Sequence, residues 1–167
     1  MFDFLKRKKQ SRQLTAMISG EVIPVTKVKD DVFSSCMLGN GIAIHPLSSG
    51  GEEEIVTVTA PADGKITITM EGTNHAVGLR IADGFDILIH IGIDTISLNG
   101  EGFTSYIKTG QKVTAGEKLL SFSKSVIDSR GLCSDVILIA LDNPELPDIT
   151  FLSGMDATAG ETVIATF

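Results

Sequence analysis

The sequence predicts an all-β fold, a sandwich or barrel of many short strands with an internal repeat and at most short helical turns. From residue 20 onward, short apolar alternations are separated by Gly, Pro, Asn and Asp, as in residues 39–46 and 60–68. This pattern is typical of strands joined by turns. No segment has both the apolar period and the caps of a long amphipathic helix. Helical turns are expected only around residues 29–36 and 123–131.

A four-residue motif, Thr-Ala-Gly-Glu, begins at residue 114 and again at residue 158, an offset of 44 residues. An apolar pair follows each copy, Leu119-Leu120 in the first and Val163-Ile164 in the second. Because glycine adopts the backbone angles that tight turns need, each copy predicts a turn that leads into a core strand. Two related β-units packed together would form a sandwich or barrel. The glutamates are assigned to turns and solubility, not to catalysis.

The start of the chain differs in charge from the remainder. The 167-residue chain has a formal net charge of −7; residues 1–12 hold five basic side chains against Asp3, which gives +4 there and leaves −11 for the rest. We expect residues 1–15 to form a flexible basic and apolar tail and residues 16–167 to form one β domain. Residues 1–12 also contain large apolar side chains, so weak contact with an anionic membrane surface is one interpretation. A solvated start to the chain is the other.

The acidic remainder of the chain makes nucleic acid an unexpected partner and favours a basic protein partner. No apolar run approaches the ~20 residues that span a bilayer, and the N-terminus lacks the features of a signal peptide. We therefore expect a cytoplasmic protein, peripheral at the inner membrane face if the tail binds lipid. Cys36 and Cys133 show no Cys-x-x-Cys spacing, which suits a reducing compartment and two small buried apolar side chains.

The run from residue 84 to 95 is the most informative part of the chain. With the two-residue period of a strand, one predicted face holds four isoleucines, Ile87, Ile89, Ile91 and Ile93. The opposite face holds the intervening residues, Asp86, Leu88, His90, Gly92 and Asp94. Gly92 has no side chain, and this predicts an opening beside the His90 ring. An imidazole with one nitrogen held by the backbone exposes the other as a nucleophile. Asp94 could orient a ring or attract a cationic group.

The other two histidines differ in their surroundings. His75 follows Thr73 by two residues, so an extended segment would place both on one face, where the hydroxyl can fix a ring nitrogen. A purely structural hydrogen-bonded histidine is the alternative for His75. His45 precedes Pro46 at a predicted strand end, where an exposed, solvated ring is expected. His45 is therefore left out of the predicted site.

In these residues the chain resembles the glucose-type enzyme IIA proteins of the bacterial phosphoenolpyruvate-dependent sugar phosphotransferase system. The resemblance rests on residues 84–96, on Thr73-Asn74-His75, on residues 98–103 and on the two Thr-Ala-Gly-Glu turns, and it extends over nearly the whole chain after the tail. It implies an antiparallel β-sandwich of the duplicated hybrid motif type. In that fold the two histidines meet in a shallow apolar depression.

The resemblance also implies a role for each residue of the predicted site. His90 would accept a phosphoryl group on Nε2 from the phosphohistidine of the phosphocarrier HPr. It would then pass this group to a cysteine of a IIB domain from a glucose-, glucoside- or N-acetylglucosamine-type permease. His75, held by Thr73, would donate hydrogen bonds to the phosphoryl oxygens, Gly92 would supply space and a backbone contact, and Asp94 would receive a basic partner residue. The protein would thus be a phosphotransferase component.

No cofactor is required for that transfer, although Zn²⁺ could bind His75 and His90 if a partner supplied a carboxylate. The family commonly has an aspartate where this chain has Asn40, and the missing charge could weaken attraction to a basic partner. No cysteine lies in a motif like that of the IIB nucleophile and no membrane segment is present, which predicts a separate IIA protein.

Three other classes of protein are alternatives to a phosphotransferase component. A metallopeptidase of related architecture would need a His-x-His pair, but Gly92 stands two residues after His90, which leaves too few zinc ligands. A lipoyl or biotinyl carrier would need a lysine at an exposed hairpin tip in the appropriate motif, and the sequence contains no such lysine. A regulatory binding protein, whose phosphorylation state reports sugar supply to other enzymes or transporters, would use the same site and is the alternative function.

Overall fold

The computed structural model describes residues 12–48, 52 and 54–167. Within them the chain forms fourteen short strands: β1 (Gln13–Thr15), β2 (Gly20–Pro24), β3 (Gly41–Pro46), β4 (Ile55–Thr59), β5 (Gly64–Thr69), β6 (Ala76–Ile81), β7 (Asp86–Ile91), β8 (Phe103–Ser105), β9 (Lys112–Val113), β10 (Lys118–Ser123), β11 (Val136–Ala140), β12 (Thr150–Phe151), β13 (Asp156–Ala157) and β14 (Val163–Thr166). Two short helices, α1 (Asp31–Ser34) and α2 (Lys124–Ser129), lie in the two segments where helical turns were predicted. Single 3₁₀ turns occupy Val25–Lys27, Ala82–Gly84 and Thr95–Leu98.

The strands form one large sheet and two small ones. The large sheet has the order β13-β2-β3-β11-β7-β6-β5-β9, and the small sheets have the orders β1-β14-β12 and β4-β10-β8. Every pair among the described strands is antiparallel. The all-β prediction is confirmed.

The main hydrophobic core lies between the large sheet and the small sheets. On β7, Ile87, Ile89 and Ile91 are each at most 1% exposed and point into it. The small sheets contribute fully buried side chains to the same cluster, Leu14, Val58, Phe122 and Ile164. Since each buried side chain of this size contributes roughly 1.5–3 kcal/mol, contacts between the layers hold the sandwich together.

A second hydrophobic cluster covers the opposite face of the central strands. Ala43 on β3 and Ile137 on β11 are fully buried there, so these two strands are buried on both faces. The segment that covers them includes α1, which begins at its N-cap Asp30, whose Oδ1 accepts hydrogen bonds from the amides of Val32 and Phe33. This cap directs Phe33 onto the sheet, next to the strand that carries His90.

The predicted internal repeat is visible in the hydrogen bonds of both turns. The amide of Gly116 donates to Ala60 O at 2.8 Å, and the amide of Gly160 donates to Ala16 O at 2.9 Å. From the first turn to the second, the donor lies 44 residues later and the acceptor 44 residues earlier, so the two units exchange these contacts at the offset of the sequence motif. Both glycines have left-handed angles, with φ values of 85° and 74°, and β10 and β14 follow the two turns as predicted.

The structure changes some expectations. Gln13–Thr15, assigned to the tail from sequence, form β1 and pair with β14, so the folded part includes the end of that segment. Residues 1–11, with most of the proposed membrane contact, lie outside the described residues. Cys36 and Cys133 are half-buried at the margin of the second cluster, so the prediction that both are buried is wrong. No helix in the described part of the chain is long and apolar enough to cross a membrane.

Replacing Ile89 with alanine tests the position of the main core. Ile89 is 0% exposed, whereas Ile55 on β4 is 52% exposed. We expect Ile89→Ala to lower the free energy of unfolding by about 2–5 kcal/mol because a cavity remains, and Ile55→Ala to lower it by less than about 1 kcal/mol. Denaturant unfolding of both variants measures the difference. Equal losses would contradict the assignment of Ile89 to the core.

Candidate functional site

His90 and His75 lie side by side at the end of two neighbouring strands. His90 is on β7, and its Cα partner across the sheet is Ala76, the first residue of β6. His75 immediately precedes Ala76, and its carbonyl oxygen accepts a hydrogen bond from the amide of Ile91 at 2.7 Å. The two imidazole centroids are 5.1 Å apart, with the rings nearly perpendicular at 83°. The structure therefore brings the two predicted histidines together.

The tautomer of His90 follows from one hydrogen bond. Its Nδ1 lies 2.8 Å from the main-chain oxygen of Gly92. Because a carbonyl oxygen can only accept, Nδ1 must carry the proton, and Nε2 of the neutral ring then holds a free lone pair. The Phe33 ring contacts the same imidazole, with a centroid distance of 5.0 Å and an interplanar angle of 55°. The His90 ring thus has one free nitrogen, Nε2, and a restricted orientation.

Thr73 holds His75, though not in the predicted way. The Oγ1 atom of Thr73 lies 2.8 Å from His75 Nδ1. The segment is not extended, because residues 71–73 form a turn and Asn74 is left-handed, with φ 53°. The prediction of an extended segment is therefore wrong, and a turn brings the hydroxyl to the ring instead. When Thr73 donates to Nδ1, His75 Nε2 carries a proton that it can donate to an anion.

Both histidines favour their neutral form. Burial lowers the pKa of His75 below its ordinary value, because a charged ring loses solvation. Burial also lowers the pKa of His90, and the neighbouring charge of His75 lowers it further. The hydrogen bond to Gly92 and the charges of Asp30 and Asp94 oppose these effects on the His90 pKa. The result is an imidazole that keeps its lone pair near neutral pH.

Gly92 does not leave the opening that the sequence predicted. A Cβ atom there would lie 2.4 Å from Thr95 Cγ2 and 2.6 Å from Cys133 O, and φ is 71°. The residue is needed for a tight left-handed turn that aims its carbonyl at His90. Because β7 ends at Ile91, the two-residue alternation also stops there. Ile93 joins the second cluster and not the isoleucine face, which corrects its predicted position.

The space beside His90 is bordered by the start of α1 and by the residues that follow the turn at Gly92. A cavity of about 210 Å³ is lined by His90, Phe33 and Thr95, by the acidic residues Asp30 and Asp94, and by two exposed apolar residues, Val32 and Ile96. Asp94 has a left-handed backbone, with φ 59°. Asp30 was not predicted as a site residue from the sequence. The available signal was its position near the start of the predicted helical turn of residues 29–36, since Asp is a preferred N-cap residue. The cavity gives the His90 ring an acidic and apolar rim.

Asn40 and His45 both lie outside this site. Asn40 O accepts from the amide of Ala140, whereas His90 pairs with Ile137, three residues earlier on β11. The change from the family's usual aspartate therefore falls about 10 Å along the strand from the histidine pair. His45 is exposed, as predicted, and its Nδ1 lies 2.7 Å from Asp135 Oδ1. It therefore has a carboxylate partner as well as solvent.

The metal-binding capacity of the site is limited. Among the described residues, no group of three or more His, Cys, Asp or Glu side chains is placed to hold a metal ion. His75 and His90 could supply two nitrogen ligands, which is fewer than the three protein ligands of a catalytic zinc site.

A sandwich that presents a neutral imidazole, anchored at Nδ1 and paired with a second histidine, defines the class of histidine phosphoryl carriers. The sequence model of the phosphoenolpyruvate-dependent sugar phosphotransferase system, EIIA 1, matches residues 12–146. The PTS system glucose-specific EIIA component of Oceanobacillus iheyensis is 34% identical over 164 residues, which cover 98% of this chain and 94% of that protein. The solved structure of glucose permease IIA from Mycoplasma capricolum superposes with a TM-score of 0.76 and 31% identity, covering 95% of this chain and 96% of that one.

The chain therefore belongs to the EIIA family of the phosphoenolpyruvate-dependent sugar phosphotransferase system. It is a phosphoryl carrier and a phosphotransferase component of sugar transport. As such a component it works with the phosphocarrier HPr and with a sugar-specific IIB partner.

The pKa shifts predict how the site titrates. Since the pKa of each histidine is lowered from 6.5, each ring of the folded protein should be more than half neutral at pH 6.5, where half of the unfolded rings are charged. On acidification the unfolded state therefore binds protons first, so the folded state loses stability as pH falls below about 6.5. NMR titration should give midpoints below 6.5 for His75 and His90. A midpoint at or above 6.5 for His90 would contradict the desolvated environment.

Proposed function

We propose that His90 Nε2 accepts the phosphoryl group from the phosphohistidine of HPr and donates it to a cysteine of a IIB domain. The IIB domain would belong to a glucose-, glucoside- or N-acetylglucosamine-type permease, since the relatives in Oceanobacillus iheyensis and Mycoplasma capricolum are described as glucose components. The observation that carries the proposal is the 2.8 Å contact from His90 Nδ1 to Gly92 O, because it leaves Nε2 as the only free nitrogen of the ring.

The proposed transfer needs no cofactor, because each bond that forms to phosphorus replaces one that breaks. In the first step the N–P bond of phospho-HPr breaks as the lone pair of His90 Nε2 forms a new N–P bond, while Nδ1 keeps its proton. In the second step the IIB thiolate attacks phosphorus and Nε2 leaves with its electron pair. Phosphoryl transfer of this kind needs in-line positioning more than covalent assistance from the protein. The anchored ring of His90 supplies that positioning.

His75 and Thr73 would stabilise the transferred group. His75 is 7% exposed and its Nδ1 is occupied by Thr73 Oγ1 at 2.8 Å, so only its Nε2 can face an incoming ligand. With the proton on Nε2, the ring donates a hydrogen bond to a phosphoryl oxygen where negative charge collects. Thr73 thus holds the His75 ring so that Nε2 is left for the ligand, and the pair supports transfer without forming a covalent bond.

The rim of the cavity would select the partner. Asp30 and Asp94 line the same cavity as His90 and could receive a basic side chain that lies next to the phosphoryl group of the donor. Val32 and Ile96, which are 45% and 58% exposed, offer apolar contact around that charged pair. An apolar rim also excludes water during transfer. The formal charge of −11 on the residues after position 12 would steer a basic partner towards this surface.

Zinc binding belongs to the same proposal. His75 and His90 could hold Zn²⁺ together with a carboxylate from a partner, because zinc accepts nitrogen and oxygen ligands in tetrahedral sites. Such a complex would occupy His90 Nε2 and compete with phosphorylation.

We also propose that the protein acts in the cytoplasm, where the two proposed partners of the transfer would meet.

Removal of the proposed acceptor should abolish labelling. With phosphoenolpyruvate, enzyme I and HPr, the unmodified chain should take up one acid-labile phosphate, and His90→Ala should take up none because the reactive nitrogen is gone. His45→Ala is the matched control, since His45 is exposed and bound to Asp135 outside the cavity. The measurement is the number of phosphates bound per chain in each variant. Unchanged labelling of His90→Ala would refute the acceptor assignment.

A change at His75 should separate acceptance from donation. We expect His75→Gln to be labelled at His90 but to donate to the IIB domain roughly 10–100-fold more slowly, because a supporting hydrogen bond is weakened. Thr73→Val should act in the same direction, and Thr73→Ser, which keeps the hydroxyl, should remain close to the unmodified protein. Single-turnover transfer from the purified phosphoprotein to IIB measures the rate. Normal donation by His75→Gln would remove His75 from the mechanism.

A further inference from the structure

Thr95 holds the turn that follows the His90 strand. Its side chain is 0% exposed, although it lies only four residues beyond Ile91, the last residue of β7. Its hydroxyl donates a short hydrogen bond to the main-chain oxygen of Ile91. Its methyl carbon Cγ2 lies 2.4 Å from the point where a Cβ of Gly92 would stand. One side chain thus contacts two residues of the turn.

This turn is the element that anchors the reactive imidazole. Gly92, with φ 71°, presents the carbonyl that accepts from His90 Nδ1. Neighbouring backbone holds the turn from one side: the amide of Gly92 donates to Asp135 O at 2.8 Å, and the amide of Ile93 donates to Cys133 O at 3.0 Å. Because the Gly92 carbonyl shares a planar peptide unit with the Ile93 amide, the bond to Cys133 O also orients this carbonyl. Thr95 holds the preceding peptide unit, at Ile91 O, which connects the strand of His90 to Gly92.

We propose that Thr95 is a positioning residue for phosphoryl transfer: by binding Ile91 O it holds the peptide unit between Ile91 and Gly92, and so keeps the Gly92 carbonyl within reach of His90 Nδ1. The proposal rests on the role of His90 proposed above. A valine has the same shape and fills the same space, so packing does not require a hydroxyl at this position. The hydroxyl contributes the bond to Ile91 O, and its loss takes a donor from a buried carbonyl. The turn would then loosen around Gly92 and reduce the restraint on the His90 ring.

The test compares two Thr→Val substitutions in the full-length chain. Thr95→Val removes the bond to Ile91 O, and Thr59→Val removes a bond of the same type, from Thr59 Oγ1 to Met17 O at 3.2 Å, on the opposite side of the sandwich. The first readout is the NMR titration midpoint of His90. Because the contact with Gly92 raises the His90 pKa, Thr95→Val should shift this midpoint downward and leave that of His75 in place. Thr59→Val should change neither.

The second readout is the rate at which phospho-HPr labels the protein at saturation. We expect kcat to fall roughly tenfold or more in Thr95→Val, since small misplacements of a reacting group have effects of this size, and to stay unchanged in Thr59→Val. Thr95→Ser, which keeps the hydroxyl, should retain the unmodified midpoint and rate. A folded Thr95→Val with an unshifted His90 midpoint and a normal rate would overturn the proposal, as would a Thr95→Ser as impaired as Thr95→Val.

If Thr95→Val does not fold, the test is the rate at which the hydroxyl proton of Thr95 exchanges with water in the unmodified protein. A proton protected from exchange with water supports the proposal, and a freely exchanging one overturns it. The titration midpoint needs no phosphoryl donor. A wrong assignment of His90 as acceptor would therefore appear as labelling of His90→Ala, while a wrong assignment of Thr95 would appear as an unshifted midpoint.

Discussion

The hydrogen bond from His90 Nδ1 to the carbonyl of Gly92 is the contact on which the proposed chemistry of this protein depends. This bond determines which ring nitrogen holds the lone pair. Its acceptor, 2.8 Å from Nδ1, is a main-chain oxygen. That backbone is available only because position 92 is glycine, since a Cβ would collide with Thr95 and with Cys133 O. The segment just before β11 contributes the rest, because Cys133 O and Asp135 O accept hydrogen bonds from the amides of the same turn. One short turn therefore connects the large sheet to the His90 ring and determines how that ring is held.

The surroundings of His90 combine burial with acidic charge, and these act on the ring in opposite directions. Burial and the neighbouring His75 lower the His90 pKa, whereas Asp30 and Asp94 raise it. The net lowering keeps the imidazole neutral and nucleophilic, and the two carboxylates remain at the cavity rim, where a basic partner can meet them. A more buried site would have no room for a partner, and a more exposed one would admit water to the phosphohistidine.

Much of the fold and the central pair of the site could be predicted from the sequence, because both are local patterns. The alternation of residues 86–91 places His90 opposite the isoleucines, and the repeated turn motif has matching hydrogen bonds at the same 44-residue offset. The errors arise where a distant segment decides the outcome. An opening was predicted at Gly92 because strand alternation does not show that the Cys133 carbonyl, from a distant segment, fills this space. Asp30 was missed because only the folding of α1 against β7 brings it to His90.

The central claim is that Nε2 of His90 carries the phosphoryl group while Nδ1 keeps its proton for Gly92. A long-range ¹H–¹⁵N NMR spectrum of the phosphorylated full-length chain, with ³¹P coupling, measures both nitrogens of that ring directly. The account predicts phosphorus coupling at Nε2 and a protonated Nδ1 with a resonance typical of a hydrogen-bonded imidazole. Phosphorus on Nδ1 of His90, or on another residue, would contradict it.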